Sequence, residues 1–306
     1  MLLPNWLKGS LLVLFGAFLW GTLVVATKGA GHLEPLTVGT VRSGMSALGC
    51  FLGLLTIAPQ TLKVDRRQLV FLLFYGGATC GFLYGGFTVA LSVLSVATSE
   101  IIFFTFPLFT TLLGIVVLGE RPSKMQIVAC LLIIAGVAAM TGMSGDVPSN
   151  NIESSRYLLG LFAAGLSVAG MTTQSLAGRK NAEKNWMATP TLFAYAQLFG
   201  FFWMALCKTL TTGWGDLPDI SASSWLLLSY MGFITTLMGY GAYNLGLRYI
   251  SASTASMLAS FEMITAVSLA ALLLKEMPSS GEILGCCLIF AALVLSGRSA
   301  SRQKTA

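Results

Sequence analysis

Residues 93–107 read VLSVATSEIIFFTFP, and residues 249–263 read YISASTASMLASFEM. Slid over one another by 156 residues, the two stretches superimpose Ser95 on Ser251 and Thr98 on Thr254. The register continues without a gap from 84–138 against 240–294, pairing Tyr84 with Tyr240, Leu118 with Leu274, Ile127 with Ile283 and Cys130 with Cys286. Shared apolar residues alone would say little. The return of Glu120-x-Pro122-Ser123 as Glu276-x-Pro278-Ser279 at the same offset says much more. The chain is built from two related halves.

Composition sets the solvent of those halves. Of the 306 residues 55% are hydrophobic and only 10% charged, where a soluble chain carries about 25%. Apolar runs of about 20 residues, the length that spans a hydrocarbon core of about 30 Å as a helix, recur throughout. They predict an all-α polytopic membrane protein with ten transmembrane helices, at about 9–29, 36–57, 68–91, 95–118, 125–143, 157–177, 188–208, 223–246, 250–274 and 282–297. The joins at 91–95 and 246–250 are so short that each must be a tight hairpin. Five spans per half is an odd number, so the second half enters the membrane from the opposite side. That is an inverted repeat, an arrangement that places a transport site near the midplane between the halves. The expected units are 1–145 for the first five-helix repeat, 146–156 for an external linker, 157–298 for the second repeat and 299–306 for a cytoplasmic tail.

Charge orients the chain. With the N-terminus inside, cytoplasmic segments hold thirteen basic residues: Lys8, Lys63, Arg66, Arg67, Arg121, Lys124, Arg179, Lys180, Lys184, Arg248, Arg298, Arg302 and Lys304. The other side holds four, Lys28, Arg156, Lys208 and Lys275, with Arg42 inside a span. This positive-inside bias puts both termini in the cytoplasm and accounts for the net charge of +6. Split among short loops, the basic residues form no patch for nucleic acid.

The two-by-five inverted arrangement, the Trp20-Gly21 pair, Arg42 near the start of the second span and the paired Gly119-Glu120 and Lys275-Glu276 ends carry a family resemblance. Over nearly its full length the chain resembles the drug/metabolite transporter superfamily, in its EamA-type branch. The resemblance implies transport of a small molecule across the bacterial cytoplasmic (inner) membrane, with export of amino acids, other metabolites or drugs as the associated activities.

Ionisable groups inside a bilayer are costly and mark function or pairing. Glu262 lies near the middle of the ninth span, where the first half has Phe106. The repeat therefore breaks its symmetry at mid-depth, setting an acid against an aromatic wall. Glu262 would meet a substrate ammonium or carry a coupling proton, or else tie two helices together. Glu100 and Arg42 are expected at similar depth, as an ion pair, an external gate, or a site where Arg42 meets a substrate carboxylate. Pro107 removes a backbone donor and should loosen its helix near Phe103. Trp20, Tyr84, Tyr240 and Tyr243 are candidate cavity walls suited to a cation, and Asn244 a candidate polar contact. Gly77, Gly81 and Gly85 form a small face for close helix approach.

A single histidine, His32, leaves no material for a histidine-based metal cluster or catalytic triad, and the cysteines lack paired metal spacing. No cofactor and no enzyme activity are expected. The expected function is secondary-active transport, proton-coupled or by exchange, of a small cationic or zwitterionic metabolite such as an amino acid or related amine, by alternating access around a central cavity. The alternatives are a nucleoside-like cation such as S-adenosylmethionine, or, in a different class, a lipid flippase or intramembrane enzyme.

Overall fold

A computed structural model describes residues 3–26, 33–141 and 154–302. Lys28, His32, residues 146–153 of the expected linker and residues 303–306 of the expected tail, Lys304 among them, lie outside these. The described residues form helices and no strand. Among the described residues, seven helices are long and apolar enough to cross a membrane: Pro35–Ile57, Arg66–Val93, Thr98–Leu118, Ser155–Lys184, Thr189–Leu210, Ala252–Leu273 and Ser280–Gly297. Lys124–Met140 is a shorter apolar helix. The chain is an integral, multi-pass membrane protein, and its surface agrees. Ile57, Phe74, Val116, Leu226 and Leu272 are well exposed, while Ser43, Ser46, Thr110, Thr111 and Thr235 are buried. Lipid takes the apolar faces, and small polar residues let helices approach inside.

In chain order, α1 is Asn5–Gly21, α2 Leu23–Ala26, α3 Pro35–Ile57, α4 Arg66–Gly76, α5 Gly86–Val93, α6 Val96–Phe103, α7 Phe106–Leu118 and α8 Lys124–Met140. The second half continues with α9 Ser154–Lys184, α10 Thr189–Leu210, α11 Ala222–Tyr230, α12 Gly241–Gly246, α13 Ala252–Ala259, α14 Phe261–Leu273 and α15 Ser280–Arg302. Local chemistry starts several of them. Asp65 with Gln68 and Ser123 with Gln126 form reciprocal capping boxes. Ser95 and Ser251 each accept from the amide three residues on, at Thr98 and Thr254. These two caps close the expected short joins.

The repeat is visible as shared irregularity. Between α4 and α5, Gly77–Gly85 winds as a π-helix, and between α11 and α12 so does Met231–Tyr240, at nearly the same place in the repeat. Wide turns of this kind gather at functional sites. The helix after each join is broken: α6 gives way to α7 at Phe104 and Thr105, and α13 to α14 at Ser260, the counterpart of Phe104. Pro107 sits in the first turn of α7, where proline costs nothing. Met263 stands at its counterpart, so the break belongs to the repeat rather than to the proline. Chain reversals match as well, with φ of +68° at Gly119 and +57° at its counterpart Lys275. The lysine there takes a backbone conformation that glycine adopts freely.

Packing crosses between halves. The equivalent helices α8 and α15 pack on each other, as do α3 and α10. Helix α1 lies on α12 and α14, and α9 lies on α5 and α7. Backbones come close where glycines allow: a methyl group on Gly16 would stand 2.6 Å from the carbonyl oxygen of Gly239. In the expected glycine ladder, Gly77 abuts Trp203 and Gly85 abuts Met204, while Gly81 faces open space.

Two lengths depart from expectation. Helix α9 runs to Lys184, beyond the expected end at 177, for 31 residues or about 46 Å. Its last turns project past the hydrocarbon until Asn185, at φ +45°, ends it. Helix α15 reaches Arg302, so the expected tail begins as helix.

Candidate functional site

The π-wound stretches, the broken helices and the end of α1 converge on one cavity of about 100 Å³. Trp20, Arg42, Tyr84, Glu100, Phe106, Tyr240 and Glu262 all line it, beside Phe87, Thr88, Phe103 and Met171. Seven candidates scattered over more than 240 residues of sequence thus share one wall. The cavity lies nearer one end of the bundle. Arg42 is eight residues into the bundle from the cap at Glu34, about 12 Å along α3. Glu100 is five residues past the Ser95 cap, about 7.5 Å.

Arg42 does not pair with Glu100. Its Nε donates to Thr236 Oγ1 at 2.8 Å, and its guanidinium carbon stands 4.4 Å from the centroid of Tyr84 and 5.9 Å from that of Tyr240. The expected ion pair is replaced by cation–π contacts because the π turn of Met231–Tyr240 brings Thr236 and Tyr240 around to α3. Glu100 and Glu262 consequently have no hydrogen-bonding or ion-pairing partner among the described residues, though both face the cavity. Both are half-buried in the cavity wall, where a carboxylate is costly to leave without a partner.

The aromatic wall is continuous. Trp20 lies 4.4 Å from Tyr240 and 5.6 Å from Tyr243, centre to centre, and Tyr84 lies 5.4 Å from Tyr240. Trp20 Nε1 donates 3.0 Å to the carbonyl of Thr235, again in the π turn. Gln197 Nε2 donates to the Tyr84 hydroxyl at 3.4 Å. Phe103 stands 5.0 Å from Phe87 and 5.3 Å from Phe106.

Tyr243 and Asn244 fall outside this lining. The Tyr243 hydroxyl meets Ser175 Oγ at 2.7 Å, and Asn244 Nδ2 donates to the carbonyl of Tyr240 at 2.8 Å. Both belong to the packed end of the bundle beneath the cavity, which is closed further by Glu120. That carboxylate accepts the amides of Ala252 and Ser253 at 2.7 and 3.2 Å and the Ser253 hydroxyl at 2.5 Å. An acid from the first half thus caps a helix of the second.

A polar cluster at the cavity end was not foreseen. Lys208, fully buried near the end of α10, binds Glu34 at 3.0 Å and Asp216 at 2.8 Å. Thr37 donates its amide to Glu34 and its hydroxyl to Asp216. Burial pushes the Glu34 carboxyl up, but the Leu36 amide, the Lys208 ammonium and Thr37 outweigh it and hold it below the usual range. At Asp216 burial likewise pushes up, and Lys208 with Thr37 pulls it down further. At the far end of the same helix pair, Thr191 Oγ1 donates to the Thr61 carbonyl at 3.0 Å and the Tyr195 hydroxyl to that of Leu62 at 2.9 Å. The α3–α10 pair is fastened at both ends. A lysine buried in an apolar helix was the signal in the sequence; its partner Glu34, 174 residues away, left none.

Comparison with known proteins agrees with this architecture. Residues 7–142 and 155–298 each match the EamA-like transporter family. The uncharacterized transporter YwfM of Bacillus subtilis is 28% identical over 97% of this chain and 96% of its own. A probable amino-acid metabolite efflux pump of Salmonella typhimurium is 23% identical over 94% of each. A protein of known crystal structure, 19% identical, superposes with a TM-score of 0.78 over 96% of this chain and 98% of its own, and at that identity it speaks for the fold alone.

Proposed function

Because the chain belongs to the EamA-like transporter family, we propose that it is a secondary-active transporter whose substrate is a small cationic or zwitterionic metabolite, an amino acid or related amine, bound in the cavity between Glu262, Glu100 and Arg42. It would work from the bacterial inner membrane with ten spans in two inverted halves and both termini cytoplasmic. The observation that carries the reading is the pair of unpartnered carboxylates sharing a cavity with one arginine and a tyrosine–tryptophan wall. An ammonium would sit between Glu262 and the Trp20 and Tyr240 rings. A carboxylate, where the substrate has one, would meet the guanidinium of Arg42.

On the charge-derived orientation the cavity lies on the external side and the Glu120–Ser253 end faces the cytoplasm, so this conformation is outward-facing. Return of the site loaded with a second substrate, or with a proton on Glu262, would make transport an exchange or couple it to a proton. The volume of about 100 Å³ is below that of a cavity of roughly 150 Å³ known to hold benzene. That favours a short-chain amine over a nucleoside-like cation. The reading of the Salmonella relative as an amino-acid metabolite efflux pump points the same way.

The test is ligand-induced thermal stabilisation of the purified protein with amino acids, polyamines, quaternary amines and nucleoside-like cations, on wild type and Glu262→Gln. Binding to the folded state raises the melting temperature by mass action. An amine that stabilises wild type but not the variant supports the site. Equal stabilisation of both by neutral or anionic compounds sinks it.

A further inference from the structure

A second and larger void, about 450 Å³, opens at the opposite end of the molecule between α4 and the projecting turns of α9. Ala177, Lys180, Asn181 and Lys184 form one wall, three or four residues apart on a single face of α9. Phe71 and Trp186 form the other. The aromatic wall is fixed. Phe71 stacks on Tyr75 at 5.3 Å and meets Trp186 edge-on at 5.1 Å. Gln68 Nε2 holds the Trp186 carbonyl at 2.9 Å. The Asn181 amide clamps the turn by donating to the Met187 carbonyl at 3.0 Å and accepting the Met187 amide at 3.1 Å. Asn185, at φ +45°, is what folds Trp186 back toward α4.

The lysines have no such partners. Glu183 between them is taken by Arg179 at 2.8 Å, and Lys180 and Lys184 are exposed without an ion pair among the described residues. Two free ammoniums therefore stand across an open space from two aromatic rings. The level of this space is marked on α4, where Arg66 and Arg67 give way within two turns to Leu69, Val70, Leu73 and Phe74, all exposed as lipid-facing residues are. Basic residues between helices at that boundary suit an anionic headgroup, and tryptophan suits the interface.

We propose that this groove is a binding site for a phosphate-bearing amphiphile, an anionic phospholipid whose headgroup phosphate lies between Lys180 and Lys184 and whose glycerol and upper acyl carbons lie on Phe71 and Trp186. The phosphate oxygens accept from the ammoniums, and the rings exclude water from the ester region. Binding here buttresses the projecting end of α9, whose N-terminal part packs on α5 beside the central cavity. The proposal does not depend on what the cavity transports.

The experiment uses the full chain purified in a neutral detergent and titrated with phosphatidylglycerol, phosphatidylcholine or inorganic phosphate. Melting temperature is one readout, and native mass spectrometry counts bound lipid whatever the stability of a variant. Phosphatidylglycerol should raise the melting temperature of wild type by about 2 °C or more and remain bound in the gas phase. K180Q/K184Q should lose both effects, while K124Q/R248Q, which removes two basic charges elsewhere, should keep them. Equal effects from phosphatidylcholine, or retention of phosphatidylglycerol by K180Q/K184Q, overturn the site. Inorganic phosphate reproducing the shift at equal concentration overturns the lipid and leaves a soluble anion as the occupant.

Discussion

The guanidinium carbon of Arg42 lies 4.4 Å from the centre of the Tyr84 ring. A tyrosine face is a weaker hold than a carboxylate, so the arginine is kept in place yet left with most of its charge to offer. The same choice leaves Glu100 and Glu262 unspent. The cavity thereby presents two acids and one base that have not neutralised one another.

Glu262→Gln should weaken binding of an amine substrate about tenfold or more, because a charge-assisted hydrogen bond contributes about 1.5–3 kcal/mol. Glu100→Gln should cost less, since it lies nearer the mouth. Equilibrium binding to both variants checks the ranking. Equal affinities across wild type and both variants would falsify the assignment.

Arg42→Ala separates zwitterions from amines. Binding of an amino acid should fall about tenfold or more, while its decarboxylated amine should bind within about a factor of two of wild type. A parallel loss for both ligands would mean that Arg42 shapes the tyrosines rather than the substrate. Arg42→Lys should be a poor substitute, because the flat guanidinium stacks on rings as a compact ammonium does not.

The Lys208 cluster predicts a pH dependence. Glu34 and Asp216 have carboxyls held below their ordinary values, so each contributes stability that is present above the ordinary carboxylate range, about pH 4. That contribution disappears as pH falls through the lowered native values. Melting temperature should drop as the medium is acidified below about pH 4, and Asp216→Asn should flatten the drop while lowering the plateau at neutral pH. Lys208→Gln should be the most damaging change, since it strands two acids around a buried site. A variant as stable as wild type at pH 7 would remove the argument.

Glu120→Gln keeps the shape of the cap on α13 but removes its charge, at an expected cost of about 1 kcal/mol, and Glu120→Ala should cost more. Melting temperature reports the order. Binding of ligand at the cavity should be preserved in Glu120→Gln, because the cap lies on the packed side.

How much of this was legible depended on range. The offset that matches Ser95 with Ser251 and Glu120 with Glu276 set the register of the two tight joins; the paired breaks at Phe104 and Ser260 follow the same register, although only Pro107 pointed to a break, and in one half alone. The cavity residues were identifiable because charge in an apolar span is conspicuous. Their connections were not. Placing Arg42 on Tyr84 rather than on Glu100 depends on the wide turns, and nothing in Gly77–Gly85 or Met231–Tyr240 distinguishes five-residue from four-residue winding. The role of Lys208 was hidden for a different reason: its acids come from two connecting segments, where contact partners leave no period in the chain. The end of α9 at Lys184 was obscured because a helix leaving the bilayer stays helical while its hydropathy falls.

The fastening of α3 to α10 at both ends carries a mechanical consequence. Each of these helices belongs to a different half, yet Glu34–Lys208 at one end and Thr61–Thr191 at the other let neither slide along its partner. With α8 seated on α15 and α1 on α12, the most extensive helix packing among the described residues runs between the halves. Any part that swings when a substrate crosses would have to draw helices from both copies, with the breaks at Phe104 and Ser260 as the points inside each copy where the backbone already departs from a straight helix.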